Sequence, residues 1–353
     1  MKPSRIAVLV LGGWLFAAVA AAADPTVELA GSREFPGVLA EGGPPIGGLS
    51  GLAWLADDEW VAVMDNSARL VRFRLAVSAD GVPESVHDLR LVTLAARHDY
   101  EDVAGCPPAL AGAFLGAAAA AARPAAGSQV LVCEEDTPAI HVVATESGAM
   151  LGRVPLPDVL AGRRRNRGLE ALAIDSDRSR VWTATEEALT PDGPAAATGT
   201  GTVVRFVRVM PARGAGGVET CQFAYRVDPP HRVLTVREGA PFSGVVAFAP
   251  LSDGRLLVLE RSAAVGLPPF ENRIYLADPA AADDVTGVAR DLSAWQGRWV
   301  AKRLLWRGSL GCNLEGLAIG PGLPNGGRVL VAIADGGDLG APGRIVGFRL
   351  TSP

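Results

Sequence analysis

An all-β fold, a single β-propeller, is what this sequence predicts, and three observations predict it. A phrase of two short apolar strands joined by a turn recurs five times, a half-exposed third strand follows each copy, and a fourth follows four of the five. The first copy pairs Gly48–Trp54 with Trp60–Asp65, the second Asp99–Ala104 with Val130–Glu134, and the third Arg167–Ala173 with Val181–Glu186. The fourth pairs Phe242–Ala247 with Leu256–Glu260, and the fifth Asn313–Ala318 with Val329–Asp335. Turn-forming residues join them, as at Ala56–Asp58, Ser176–Arg178, Ser252–Gly254 and Pro324–Gly327, which makes each pair a hairpin.

Third strands read as Leu70–Leu75, Ile140–Val143, Val203–Val209, Arg273–Leu276 and Arg344–Leu350, where apolar residues alternate with basic ones. Fourth strands follow at Leu89–Leu94, Leu151–Leu156, Val233–Val236 and Trp299–Trp306. The fifth unit lacks one of its own, and Thr26–Leu29 is an unassigned strand that can complete it, closing an edge otherwise open to aggregation. The residues opening the phrases, Ser50, Glu101, Glu170, Ser243 and Glu315, are 51, 69, 73 and 72 apart. Those spacings fit five blades with long loops or six shorter ones. Ala111–Ala126, nearly all Ala and Gly, reads as an inserted loop or short surface helix.

Of the 353 residues, 49% are apolar and 20% charged, with a net charge of −5, which places the chain among globular proteins and disfavours disorder and nucleic-acid partners. Lys2 and Arg5 precede an apolar run, Ile6–Ala20, that ends in small residues before Asp24, so residues 1–23 read as a cleaved signal peptide and 24–353 as the propeller domain. Losing those two basic residues takes the charge to −7. The expectation is a monomer in the periplasm or medium, with no membrane association after cleavage. Four cysteines are too few for a disulfide scaffold, and none is spaced for zinc. Cys106 and Cys133, on the inner strands of one blade, are the expected disulfide. Four histidines leave few candidates for a Ser-His-Asp triad or a multi-His metal site, and there is no G-x-S-x-G elbow.

The phrases Asn166–Ala173, Glu271–Tyr275 and Asn313–Ala318, with the opening Gly48–Leu52, resemble the bacterial "esterase-like activity of phytase" (phytase-like) domain family, from about Gly47 to Phe348. The resemblance implies an exported propeller with hydrolase-like activity on phosphate or other esters. Ser50 and Ser243 stand where that pattern has Glu, although Ser at the first position is itself familiar. The fold hosts binding modules as well as enzymes, so a non-catalytic periplasmic propeller that binds a ligand or protein is the alternative.

First strands line a propeller's channel, so Glu101, Glu170 and Glu315 are expected to converge. Buried carboxylates repel unless a proton or cation holds them, and an all-oxygen set favours Ca²⁺. The expected ligands are Glu101, Glu170, Glu315, Asn313, Asp65 and Asp335, with Glu101, Glu170, Glu315 and Glu186 acting on an ester or phosphate-ester substrate. Second strands end in Asp65, Glu134, Glu186, Glu260 and Asp335, with Glu135, Asp136 and Glu187 adjacent, which predicts a second acidic ring at the same mouth. Arg167, Arg273, Asn166 and Asn272 are expected to hold the anionic group of the substrate, whereas Arg163–Arg165 read as a solvated loop. His98 beside Asp99 is a minor candidate for general base, and Ser50 a weaker candidate for nucleophile.

Overall fold

The chain folds, in a computed structural model, into five four-stranded antiparallel sheets arranged as a propeller. The structure describes residues 24–40, 43–65, 67–115, 128–175, 177, 179–212, 217–231, 241–264, 266–334 and 342–351. Blade 1 is β2 (Leu49–Ala56), β3 (Glu59–Met64), β4 (Arg69–Val77) and β5 (Pro83–Thr93). Blade 2 is β6 (Tyr100–Gly105), β7 (Gln129–Glu134), β8 (Ala139–Ala144) and β9 (Met150–Val154). Blade 3 is β10 (Leu169–Asp175), β11 (Arg180–Thr185), β12 (Thr202–Pro211) and β13 (Val218–Val227). Blade 4 is β14 (Phe242–Pro250), β15 (Leu256–Ala263), β16 (Phe270–Asp278) and β17 (Ala301–Gly308). Blade 5 is β18 (Leu314–Gly322), β19 (Arg328–Ala334), β20 (Arg344–Thr351) and the amino-terminal β1 (Thr26–Glu34), which pairs antiparallel with β20 from Thr26↔Thr351 to Glu34↔Arg344. The amino-terminal strand therefore closes the ring as the sequence predicts, and the blade number is five.

The inner strands contact one another in the cyclic order β2, β6, β10, β14, β18. Each gap between neighbouring blades holds one apolar cluster. Leu52 and Trp60 meet Val331 and Ile345 between blades 5 and 1, and Val61 and Leu70 meet Val103 and Val132 between blades 1 and 2. Leu131 meets Leu172, Phe206 meets Phe248, and Leu259 meets Leu317 in the other three. Both faces of every inner hairpin are thus buried, which is why those strands read as continuous apolar runs rather than alternating ones.

Two sequence expectations change, and a third, the Ala-rich insertion, is narrowed to its helical alternative. The fourth strand of blade 3 is β13, not Val233–Val236, which lies outside the described residues; β12 turns back directly into a ten-residue antiparallel partner, Thr202↔Val227 to Pro211↔Val218. The Ala-rich insertion begins as a helix, α1 (Pro108–Leu115), with Leu110 and Ala111 buried and the rest outside the described residues. Cys106 and Cys133 are free thiols. Cys106 lies opposite Gln129, four ladder positions from Cys133, and at ~3.3 Å per residue that offset is about 13 Å, far beyond disulfide reach.

The feature that positions the site is a register shift near the start of every inner strand. Leu169 pairs with Thr185 but Ala171 with Ala184, leaving Glu170 as the extra residue; Glu315 is extra between Leu314↔Ala334 and Gly316↔Ile333. Blades 1 and 2 shift within Leu49–Leu52 and Tyr100–Val103, and blade 4 at Val246. Such bulges re-aim a side chain out of the ladder, which brings Glu101, Glu170 and Glu315 to the mouth, whereas Val246 stays in the apolar cluster between blades 4 and 5.

Candidate active site at the acidic mouth

Two cavities mark the ends of the channel. One, of about 290 Å³, is walled by Asp65, Asp99, Glu101, Glu135, Asn166, Arg167, Glu170, Phe242, Arg261, Phe270, Asn313 and Glu315. The other, of about 390 Å³, begins two residues further along the same strands, at Leu52, Val103, Leu172, Phe248 and Leu317. Between them lies Asp102, whose carboxylate accepts hydrogen bonds from the backbone N–H of Leu172 (2.7 Å) and of Val103 (2.8 Å). Gly51 makes room for it: a Cβ there would stand 2.3 Å from the Asp102 Cα.

The bulges explain the mouth's composition. Its inner ring consists of bulge residues, Glu101, Glu170 and Glu315 among them, and Ser50 donates to Glu101 Oε2 at 2.8 Å. Its outer ring includes the residues just past the ladder on the second strands of blades 1, 2 and 3. Asp65, Glu135 and Glu186 donate their backbone N–H to Gly48, Asp99 and Gly168, and Arg261 occupies the matching place opposite Gly244. The ring of acids thus contains one built-in cation. Buried Arg261 donates to Asn313 Oδ1 (3.2 Å) and forms ion pairs with Glu315 and Glu186. Glu186 also pairs with Arg167 at 2.8 Å, and both guanidiniums lie over the Phe242 ring, at 4.5 Å for Arg167 and 5.4 Å for Arg261.

Two guanidiniums do not neutralise this set. Burial, and then the charges of Asp65 and Glu315, push Glu101 well above the usual carboxylate range. Burial followed by Glu101 and Glu186 does the same to Glu170, with Arg261 opposing. Glu135, accepting from Gly168 N–H at 3.1 Å, is raised to about 7, chiefly by burial. Burial lowers the Arg261 pKa, and Glu186, Glu315 and Glu170 more than reverse it, leaving it above the ordinary value. Asp65, Asp99 and Glu101 bring one carboxylate oxygen each within 4.8 Å of the others.

The profile of the phytase-like family, described as esterase-like activity of phytase, matches residues 44–336. The chain belongs to the phytase-like family. No curated protein matches it in sequence. Among solved structures it is similar to the PQQ-bound form of aldose sugar dehydrogenase from Streptomyces coelicolor, at 14% identity and a TM-score of 0.41, over 94% of this chain and 100% of that one.

Within this phytase-like propeller the structure brings together Glu101, Glu170, Glu315, Asp65, Asn313, Asn166 and Arg167, with Glu186 reaching in through its two arginines. Asp335 lies outside the described residues. Other expected members face elsewhere. Arg273 lines a lateral cavity with Asp228, His231 and Tyr275, donating to Glu271 Oε1 (2.7 Å) and the Pro229 carbonyl (3.0 Å). Asn272 is buried between blades, donating to the Cys312 carbonyl (3.0 Å) and accepting from Leu314 N–H (3.2 Å), so it sets the strand that carries Glu315. Arg164 donates to the carbonyls of Ala188 (3.1 Å) and Gly193 (2.6 Å), making it a loop tether.

Glu134 and Glu260 leave the predicted outer ring because each pairs within the ladder, one residue short of the mouth, and one residue reverses the face. Ser243 stands three residues before its blade's bulge and donates to the Asp228 carbonyl. His98 pairs with Glu134 at 3.0 Å, behind the mouth. Sequence reasoning missed Arg261 and gave Glu135 no role. The signal for both was a charge directly after a strand-ending acid, in Leu-Glu260-Arg261 and Cys-Glu134-Glu135.

Proposed function

We propose that this chain is an exported ester hydrolase whose acidic mouth binds a divalent cation, Ca²⁺ before others, and acts on phosphate or other anionic esters. The observation that carries the reading is the crowding of Glu101, Glu170, Glu315 and Asp65 in a mouth that also holds Arg167 and Arg261, with Glu101 and Glu170 driven far above their ordinary pKa values. An all-oxygen donor set with excess negative charge fits a hard cation. Glu101, Glu170, Glu315, Asp65 and the Asn313 amide oxygen would hold it. Bound there, such a cation supplies Lewis-acid polarisation of the ester's carbonyl or phosphoryl oxygen.

The chain's own groups account for the rest. Arg167, partly exposed above Phe242, holds the substrate's anionic group, and Asn166 beside it offers an amide. Glu135 titrates near neutrality, so it takes a proton from water as the oxygen attacks and returns it to the departing alkoxide as the ester bond breaks. Arg261 fixes Glu315 and Asn313, leaving Glu101 and Glu170 free to respond to a cation.

Glu170→Gln tests this. Calcium affinity is expected to fall by at least about 100-fold, more than loss of an outer-shell partner costs, and hydrolysis of a panel of phosphate esters, carboxylic esters and lactones to cease while the fold persists. Chelation of the wild type should likewise abolish turnover. Unchanged kinetics in a folded Glu170→Gln protein would remove the central-site hydrolase, and stoichiometric calcium with no turnover on any substrate would make the mouth a binding site.

A further inference from the structure

Glu134 and Glu260 occupy equivalent places in blades 2 and 4, each one residue short of the mouth and facing an interface between blades. Their partners differ. Glu260 receives a permanent cation, Lys302 Nζ at 2.7 Å, together with the Tyr225 hydroxyl at 2.6 Å. Among the described residues, Glu134 has two imidazoles as its charge partners: His98 Nδ1 lies 3.0 Å from Oε1, and His141 Nε2 lies 2.8 Å from Oε2. A buried carboxylate left with neutral partners is costly, so this place calls for a positive charge that its two direct partners do not permanently supply.

The geometry suits a particular kind of charge. The two imidazole rings stack at 5.6 Å with an interplanar angle of 21°, and Tyr100 stands edge-on to both. One donor atom from each of His98, Glu134 and His141 lies within 4.8 Å of the others, and each imidazole nitrogen stands near 3 Å from one of the two Glu134 oxygens, the spacing of neighbouring ligands ~2 Å from a tetrahedral ion. Two nitrogens and a carboxylate select borderline transition cations over the hard cations suited to the all-oxygen mouth. Glu134 and His141 are buried while the His98 side chain is 30% exposed, which leaves an entry path and room for water as fourth ligand. Arg153 pairs with His141 across β8 and β9 and is the nearby opposing charge.

We propose that His98, Glu134 and His141 form a second metal site, separate from the mouth, for a transition-metal dication of the zinc type. Such an ion fastens the link between blades 1 and 2 to β7 and β8. His98 and Glu134 immediately precede Asp99 and Glu135, both in the mouth wall and joined by the Glu135 N–H to Asp99 carbonyl bond (2.8 Å). Occupancy therefore sets the backbone from which two mouth carboxylates project.

The test uses the full chain, stripped with chelator and titrated with Zn²⁺ alone. One equivalent should bind, and the ring ¹⁵N resonances of His98 and His141 should shift while those of His87 and His231 stay, a readout that needs no variant. Co²⁺ should give the visible absorption of a four-coordinate N/O site. His98→Ala, the most exposed of the three changes, should weaken Zn²⁺ binding at least tenfold while calcium still binds at the mouth. Zn²⁺ that leaves both ring signals in place, binds His98→Ala as tightly as wild type, or is lost in Glu170→Gln instead would overturn the proposal. Two signals already at imidazolium positions and unmoved by Zn²⁺ would show that a proton supplies the charge.

Discussion

The two ends of the channel are built by the same five strands, yet one is walled by carboxylates and the other by Leu52, Val103, Leu172, Phe248 and Leu317. The difference arises from the bulges. Where the ladder is regular, side chains serve the gaps between blades and must be apolar; where one extra residue breaks it, a side chain escapes that requirement and points along the axis. A propeller can therefore change its chemistry at one mouth without disturbing its core. The cost falls on the residues that hold like charges together.

Replacing that counter-charge should have the largest effect on the contrast. Arg261→Met removes the buried cation that pairs with both Glu186 and Glu315, and a loss of about 4 kcal/mol is expected in denaturant unfolding without added metal. Calcium should restore part of it, and no response to calcium would separate stability from cation binding. Asp102→Ala removes the divider between the two ends and strands the N–H groups of Leu172 and Val103, for about 3 kcal/mol by the same measurement. A loss within error would mean that water replaces the carboxylate.

The pH dependence sharpens the comparison further. Glu101 and Glu170 are raised well above their ordinary values and Glu135 to about 7, so the folded mouth holds protons that the unfolded chain releases. Stability from these groups is present at acid pH and lost as pH rises through the raised values. In chelator, the melting temperature should fall between pH 5 and 8. Calcium should flatten that slope by replacing the protons, and a chelator profile already flat would count against the crowded mouth. The smallest effect belongs to the other end, where Arg328→Gln should leave calcium affinity and turnover as they are; a change in either would mean that the two ends communicate past Asp102.

Most of the fold was legible because inner hairpins buried on both faces leave apolar runs that repeat. β13 was not, since Val218–Val227 mixes Glu, Thr, Gln and Arg into a strand with one wet face. At the site, Glu101, Glu170 and Glu315 could be read because an acid inside an apolar phrase is conspicuous. The outer ring was displaced by one residue in blades 2 and 4, and Ser243 by three, because sequence shows where a strand stops being apolar but not where its partner bulges. Blade 4 carries Val246 at its bulge, and no acid there marked the place.

The clasp of β1 on β20 has a consequence for how the molecule comes into being. Thr26 leaves the ribosome 325 residues before Thr351, so blade 5 keeps a bare edge until β20 has been made. Local hairpins can form as they emerge, but ring closure joins sequence-distant ends, the contact with the greatest loop-closure entropy. Ring completion thus waits on the last strand by topology, and an edge that stays bare in the interim is where a holding chaperone would do most to prevent strand-to-strand association.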